Sequence, residues 1–136
     1  MDSRIMDVLG DRVLELGPTP EAGLYNNFKL TRDADGIAWL LFDRADASAN
    51  TLNAAVLEEF DAVLTALESQ RPVGLVIRSA KPSGFFAGAD VNEFRGVSDT
   101  RVVESEIGRA HAVIDRLEAL RLPTVAVIHG FCLGGG

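Results

Sequence analysis

Apolar positions along this chain recur at two periods, and the places where one period gives way to the other predict its elements. Ile5, Leu9, Val13 and Leu16 fall at helical spacing and predict an N-terminal amphipathic helix, which residues 17–23, with two prolines and two glycines, terminate. Apolar runs over residues 28–31, 37–42 and 73–77 read as strands, the last one buried, and the DADG cluster at 33–36 predicts a hairpin turn between the first two. Over residues 53–68 Val56, Phe60, Val63, Leu64 and Leu67 form one stripe while Glu58, Glu59 and Asp61 face away, the signature of a core-facing helix. Val103, Ile107, Ala110, Ile114 and Leu117 mark a second such helix ending near Leu120, and Pro123 separates it from a last strand at 124–128. Strands alternating with helices imply an α/β fold with its active groups on loops at strand ends.

Composition narrows the class. Of 136 residues 47% are hydrophobic and 24% charged, an ordinary balance for a soluble α/β protein. No apolar stretch approaches the roughly 20 residues that a bilayer-spanning helix needs. Twenty acidic against thirteen basic residues give a net charge of −7 without any run of Lys or Arg, which argues against a nucleic-acid surface. The single cysteine, Cys132, excludes an intramolecular disulfide, suits a reducing compartment and reads as a small apolar side chain beside a turn. The opening residues carry acids throughout and no apolar core of signal length, so the cytoplasm is the expected location. A globular domain rarely stops on three bare glycines, so the chain reads as a fragment.

Two strand-end loops are unusually rich in small residues: SGFFAGAD at 83–90 and HGFCLGGG at 129–136. Glycine turns leave backbone N–H groups uncovered by side chains, and uncovered N–H groups are what a carbonyl oxygen needs when it turns anionic. The glycine spacing matches neither a dinucleotide fingerprint nor a phosphate loop. Asp90 is also placed to cap a short helical segment, VNEF, that follows it.

Together the segments DRADASANTLN at 43–53, GFFAGADVNEF at 84–94 and LPTVAVIHGFCLGGG at 122–136 resemble the crotonase superfamily, whose type member is enoyl-CoA hydratase. The resemblance covers residues 25–136 and implies the N-terminal part of a crotonase-like ββα spiral, truncated after the GGG turn, with residues 1–24 a helical extension. It implies that the N–H groups of Ala89 and Gly135 grip the thioester oxygen. It also implies that Ala47, Ser48 and Ala49 curl around the adenine end of coenzyme A, and that Ala87, Gly88, Asp90 and Val91 lie along the pantetheine and the start of the acyl chain, with Leu133 and Gly134 also at the substrate. For residues 47–51 the competing reading is a plain strand-to-helix connection in which Asn50 or Thr51 caps the helix.

Within the superfamily the wording is most similar to the hydratase portion of multifunctional fatty-acid oxidation α-subunits. The activity implied is hydration of trans-2-enoyl-CoA in β-oxidation, with the thioester as substrate, no further cofactor and no metal. The two glutamates that supply acid and base in the family are expected beyond residue 136. Glu93 reads instead as a solvated surface acid, and His111 and His129 as structural residues. The resemblance further implies a homo-oligomer, trimer or hexamer, or a complex with a thiolase. Two other readings keep the pocket and change its use: a different acyl-CoA reaction (isomerase, hydrolase, decarboxylase or synthase), or a non-catalytic acyl-CoA-binding protein.

Overall fold

The computed structural model describes residues 12–21 and 23–136. Strands β1 (Phe28–Arg32) and β2 (Ile37–Phe42) form the expected hairpin, pairing antiparallel from Phe28 opposite Phe42 to Arg32 opposite Ala38. Asp33 closes its turn: Oδ1 accepts from the Asp35 and Ile37 N–H groups, and Oδ2 accepts from the Trp39 indole. Those bonds, the one from Trp39 first, hold the Asp33 carboxyl below its ordinary range.

Helix α1 (Ala54–Gln70) carries the chain back over the sheet, and its stripe is buried as the spacing predicts, with Leu57 added. The cap is neither Asn50 nor Thr51 but Asn53, whose side chain accepts from the Val56 N–H. Strand β3 (Gly74–Ser79) then lies parallel to β2, Leu40 opposite Ile77. It starts one residue later than the apolar run suggests, because Val73 is exposed in the turn, and it extends through Arg78 and Ser79. Helix α2 (Thr100–Glu118), capped by Asp99, leads to β5 (Thr124–Val127), parallel to β3 at the edge of a sheet ordered β1-β2-β3-β5.

Two further strands lie inside the segments read above as loops. β4 (Gly84–Phe86) and β6 (Phe131–Cys132) pair parallel with each other in a second, two-stranded sheet. Three-residue and two-residue strands carry too few side chains for an alternation to register, so the sequence shows only the glycine-rich segments that contain them. With them the order becomes β1-β2-α1, β3-β4-α2, β5-β6, a repeating ββα progression.

The core sits between the larger sheet and the two helices. Leu40 and Leu75 meet Val56, Val63, Leu64 and Leu67, all fully buried. An aromatic chain crosses it: Phe28 stacks on Phe42 with centroids 4.6 Å apart and on Phe60 at 5.3 Å, and Phe42 meets Phe86 of the small sheet at 5.4 Å. Of the second predicted stripe, Val103, Ala110 and Leu117 are half-buried and Ile107 and Ile114 are exposed, while Val113 is the buried residue of α2. That helix therefore presents its stripe partly to a cavity rather than wholly to the core.

Alternate residues of β2 and β3 face the other way. There the Arg78 guanidinium donates to the Leu14 carbonyl at 3.0 Å, and Gly17, at φ +82°, lies so close to the Trp39 ring that a Cβ would collide with it. The end of the N-terminal extension thus packs on the outer face of the sheet; Ile5 and Leu9, on which the predicted helix also rests, lie outside the described residues.

The two sheets are joined by Asn50, which is fully buried. Its Oδ1 accepts from the Arg44 N–H at 3.0 Å, and its Nδ2 donates to the Phe42 carbonyl at 3.0 Å, the Ser79 hydroxyl at 2.9 Å and the Phe85 carbonyl at 3.2 Å. Ser79 passes the link on by donating to the Gly84 carbonyl at 2.8 Å. Asn50→Leu keeps the branched shape, adds volume and removes all four hydrogen bonds of the amide, leaving the Arg44 N–H without its acceptor. Loss of about 2 to 4 kcal/mol of stability is expected, read as a fall in the urea midpoint without change of slope.

Candidate active site

The segment after Asn50 runs beside the one after β4. The Ala87 N–H donates to the Asn50 carbonyl at 2.8 Å, the Leu52 N–H to the Gly88 carbonyl at 2.9 Å, and the Asp90 N–H to the Leu52 carbonyl at 2.7 Å. In such a parallel bridge the residue between the two bonded neighbours turns its own groups outward. Ala89 is that residue, and its N–H finds no acceptor among the described residues.

The glycine loop after β6 turns in the same way. The Leu133 N–H donates to the Phe86 carbonyl and the Gly136 N–H to the Leu133 carbonyl, each at 2.9 Å, which leaves the Gly135 N–H without an acceptor among the described residues. Gly134 takes φ +56° in that turn.

Pairing of β4 with β6 brings the two loops into backbone contact. A Cβ at Gly88, which has φ +84°, would lie 3.2 Å from the Leu133 carbonyl oxygen and 3.7 Å from the Gly135 nitrogen, and one at Gly134 would lie 3.4 Å from the Gly88 Cα. Glycine is required here both for conformation and for approach. Ala89 and Gly135, 46 positions apart in the chain, consequently line one cavity of about 190 Å³. Its other walls come from Leu52 and Leu57 of the first crossover, Glu93 and Phe94, and Glu106, Ile107, Ala110, His111 and Ile114 of α2. A second, more apolar cavity of about 180 Å³ also has Leu52, Ile114 and Gly135 in its lining.

The other residues singled out from the sequence surround these amides without lining that cavity. Gly88 is the hinge of the contact, and Ala87 is tied to Asn50. Leu133 and Gly134 form the facing turn, and Val91 is exposed at the start of a 3₁₀ turn (Val91–Phe94). Asp90 caps that turn, as expected, by accepting from the Asn92 N–H, and its carboxylate also pairs with Arg44 at 2.8 Å. Ala47, Ser48 and Ala49 lie in the loop leading to Asn50, where the Ser48 carbonyl accepts from the Ser83 hydroxyl at 3.3 Å.

Three predicted bystanders fare differently. Glu93 is exposed but not merely solvated: its Oε1 accepts from the Ala54 N–H at 2.8 Å, at the start of α1. His129 is structural, its Nε2 lying 2.7 Å from the Lys81 carbonyl oxygen. His111, read as structural, stands in the cavity wall.

Arg44 went unnoticed in the sequence. It pairs with Asp90 and meets the Thr51 hydroxyl, clamping the 43–51 loop onto the 88–90 loop. Its spacing to Asp90 follows no local period, so nothing in the sequence flags it. Neighbouring Asp43 is pushed up by burial, but the hydrogen bond and charge of Lys81, with Lys29, outweigh this and hold it below the ordinary range.

Among the described residues no group of three His, Cys, Asp or Glu side chains could hold a metal ion, and no helix is long and apolar enough to cross a membrane.

Residues 32–136 match the family model described as enoyl-CoA hydratase/isomerase. The fatty acid oxidation complex subunit alpha of Aliivibrio fischeri is 40% identical over 111 residues, covering 80% of this chain and 16% of the relative. The protein of the same name from Vibrio cholerae is 39% identical over 113 residues, 82% of this chain and 16% of the relative. The chain thus spans about a sixth of these relatives. Among solved structures, the enoyl-CoA hydratase of Bacillus anthracis superimposes with a TM-score of 0.72 at 27% identity, over 81% of this chain and 42% of that one. An enoyl-CoA hydratase/carnithine racemase from Magnetospirillum magneticum gives 0.73 at 24% identity, over 82% and 42%, a likeness of fold.

The hydrogen bond from Arg44, with those from Asn92, holds the Asp90 carboxyl below its ordinary value of 3.8. Because the folded state depresses this group, its contribution to stability is complete above that value and is lost below it, as the pH falls toward the depressed value of the folded state. Thermal unfolding of the wild type and Asp90→Asn between about pH 7 and pH 3 is expected to show a constant advantage for the wild type near neutrality that shrinks in acid.

Proposed function

The chain belongs to the enoyl-CoA hydratase/isomerase family, and on that premise we propose that the protein carrying it hydrates trans-2-enoyl-CoA thioesters in fatty-acid oxidation. The observation that carries the reading is a pair of N–H groups, on Ala89 and Gly135, that line one cavity and find no acceptor among the described residues. As water oxygen bonds to C3, the C2=C3 electrons move toward the thioester and charge gathers on its oxygen. Two fixed donors aimed at that oxygen stabilise the enolate without reorganising. The enolate then collapses and C2 takes a proton.

In this reading the proton lost by water and the one delivered to C2 pass through two glutamates that the family resemblance puts beyond residue 136. Ala47, Ser48 and Ala49 hold the nucleotide end of coenzyme A, and Ala87, Gly88, Asp90, Val91, Leu133 and Gly134 flank the pantetheine and thioester. Asp90 would act there through its backbone, since Arg44 engages its carboxylate. The thioester is the substrate and the step needs no other cofactor. A cytoplasmic setting suits the lone Cys132. The protein assembles in this reading with a thiolase or into a homo-oligomer; the names of the relatives, each a subunit of a complex, support assembly as such.

Ala89→Pro removes one donor without adding charge. Turnover of crotonyl-CoA by the full-length protein is expected to fall about 10²- to 10³-fold with the circular dichroism spectrum retained; undiminished turnover would remove Ala89 from the mechanism. The intact protein should also bind acetoacetyl-CoA, whose enolate resembles the charged intermediate, more tightly than free coenzyme A, and calorimetry showing equal affinities would count against the amide pair.

A further inference from the structure

Three titratable side chains reach the cavity that holds the Ala89 and Gly135 amides: Glu93, Glu106 and His111. Glu93 is committed to the start of α1 through the Ala54 N–H. Glu106 is not: its Oε2 is closed off from solvent and meets no donor among the described residues. Around it the walls are largely apolar, with Leu52, Leu57, Ile107 and Ile114. A carboxylate oxygen held against such walls without a partner is costly, and a donor that enters the cavity relieves that cost. The same cavity carries two N–H donors in need of an acceptor. A ligand that satisfies both sets presents a carbonyl oxygen at one point and a hydroxyl hydrogen at another.

We propose that Glu106 is a specificity-determining residue, accepting a hydrogen bond from a hydroxyl group on the acyl chain, so that the site prefers hydroxylated acyl-CoA thioesters to plain ones of the same length. This rests on the reading of the cavity as an acyl-thioester site. A hydroxylated chain regains at Oε2 the hydrogen bond that it leaves in water; a plain hydrocarbon chain leaves that oxygen stranded and is disfavoured.

The test uses saturated thioesters, which a hydratase cannot turn over, with the full-length protein. Dissociation constants of butyryl-CoA against 4-hydroxybutyryl-CoA, and of valeryl-CoA against 5-hydroxyvaleryl-CoA, are measured by calorimetry for the wild type, Glu106→Gln and Glu106→Leu. The hydroxylated member of at least one pair is expected to bind the wild type about tenfold more tightly, the size of one hydrogen bond to a charged group. Glu106→Gln, equal in volume and still an acceptor, should keep part of that preference, and Glu106→Leu should abolish it. No preference in the wild type, or one that survives in Glu106→Leu, overturns the role of Glu106 while leaving the acyl site standing. If every thioester binds the wild type no more tightly than free coenzyme A, the acyl-site reading itself falls, and the role of Glu106 with it.

Discussion

The buried amide of Asn50 is the interaction on which the rest of this structure depends. One side chain binds the end of β2, the end of β3 and the middle of β4, and the backbone carbonyl of the same residue takes the Ala87 N–H. Both halves of a primary amide are needed, since the site presents a donor at Arg44 and acceptors at Phe42, Ser79 and Phe85. The Phe42 carbonyl also takes the Ala80 N–H and the Ser79 hydroxyl also bonds Gly84 and Lys81, whereas the Arg44 N–H has Asn50 alone as its acceptor among the described residues. The two sheets are held in one relation for that reason, and the loops they carry inherit it.

From that relation the cavity follows. The chain after Asn50 pairs with the chain after β4 and turns the Ala89 N–H outward, and β6, seated on β4, brings the second glycine loop against Gly88. Neither amide is placed by a side chain. Both are turned outward by backbone hydrogen bonds that their neighbours make. Arg44 adds a charged clamp between the same two loops, and α2 closes the cavity with a wall that is apolar except at Glu106 and His111.

The long elements were legible because their burial imposes a period. The stripe of α1 comes from packing on one face, and the residues predicted from it are the ones found buried. Short elements and caps were not. β4 and β6 are too brief to show alternation, and Asn50, offered as a helix cap, is instead the buried link, with Asn53 at the cap. Local sequence cannot distinguish an asparagine that bonds its own turn from one that bonds three other strands.

The sequence by itself determined the α/β class, the long helices and strands of the core, and the two glycine-rich loops whose family wording points to Ala89 and Gly135. That these amides share a cavity, that Arg44 and Asn50 hold the loops carrying them, and that Glu106 Oε2 meets no donor among the described residues follow from the packing of the whole fold. The physical reason is range. Periodicity and turn chemistry act over a few residues, whereas the meeting of residues 44 with 90, 50 with 85, and 88 with 134 is set by the pairing of strands far apart in the chain.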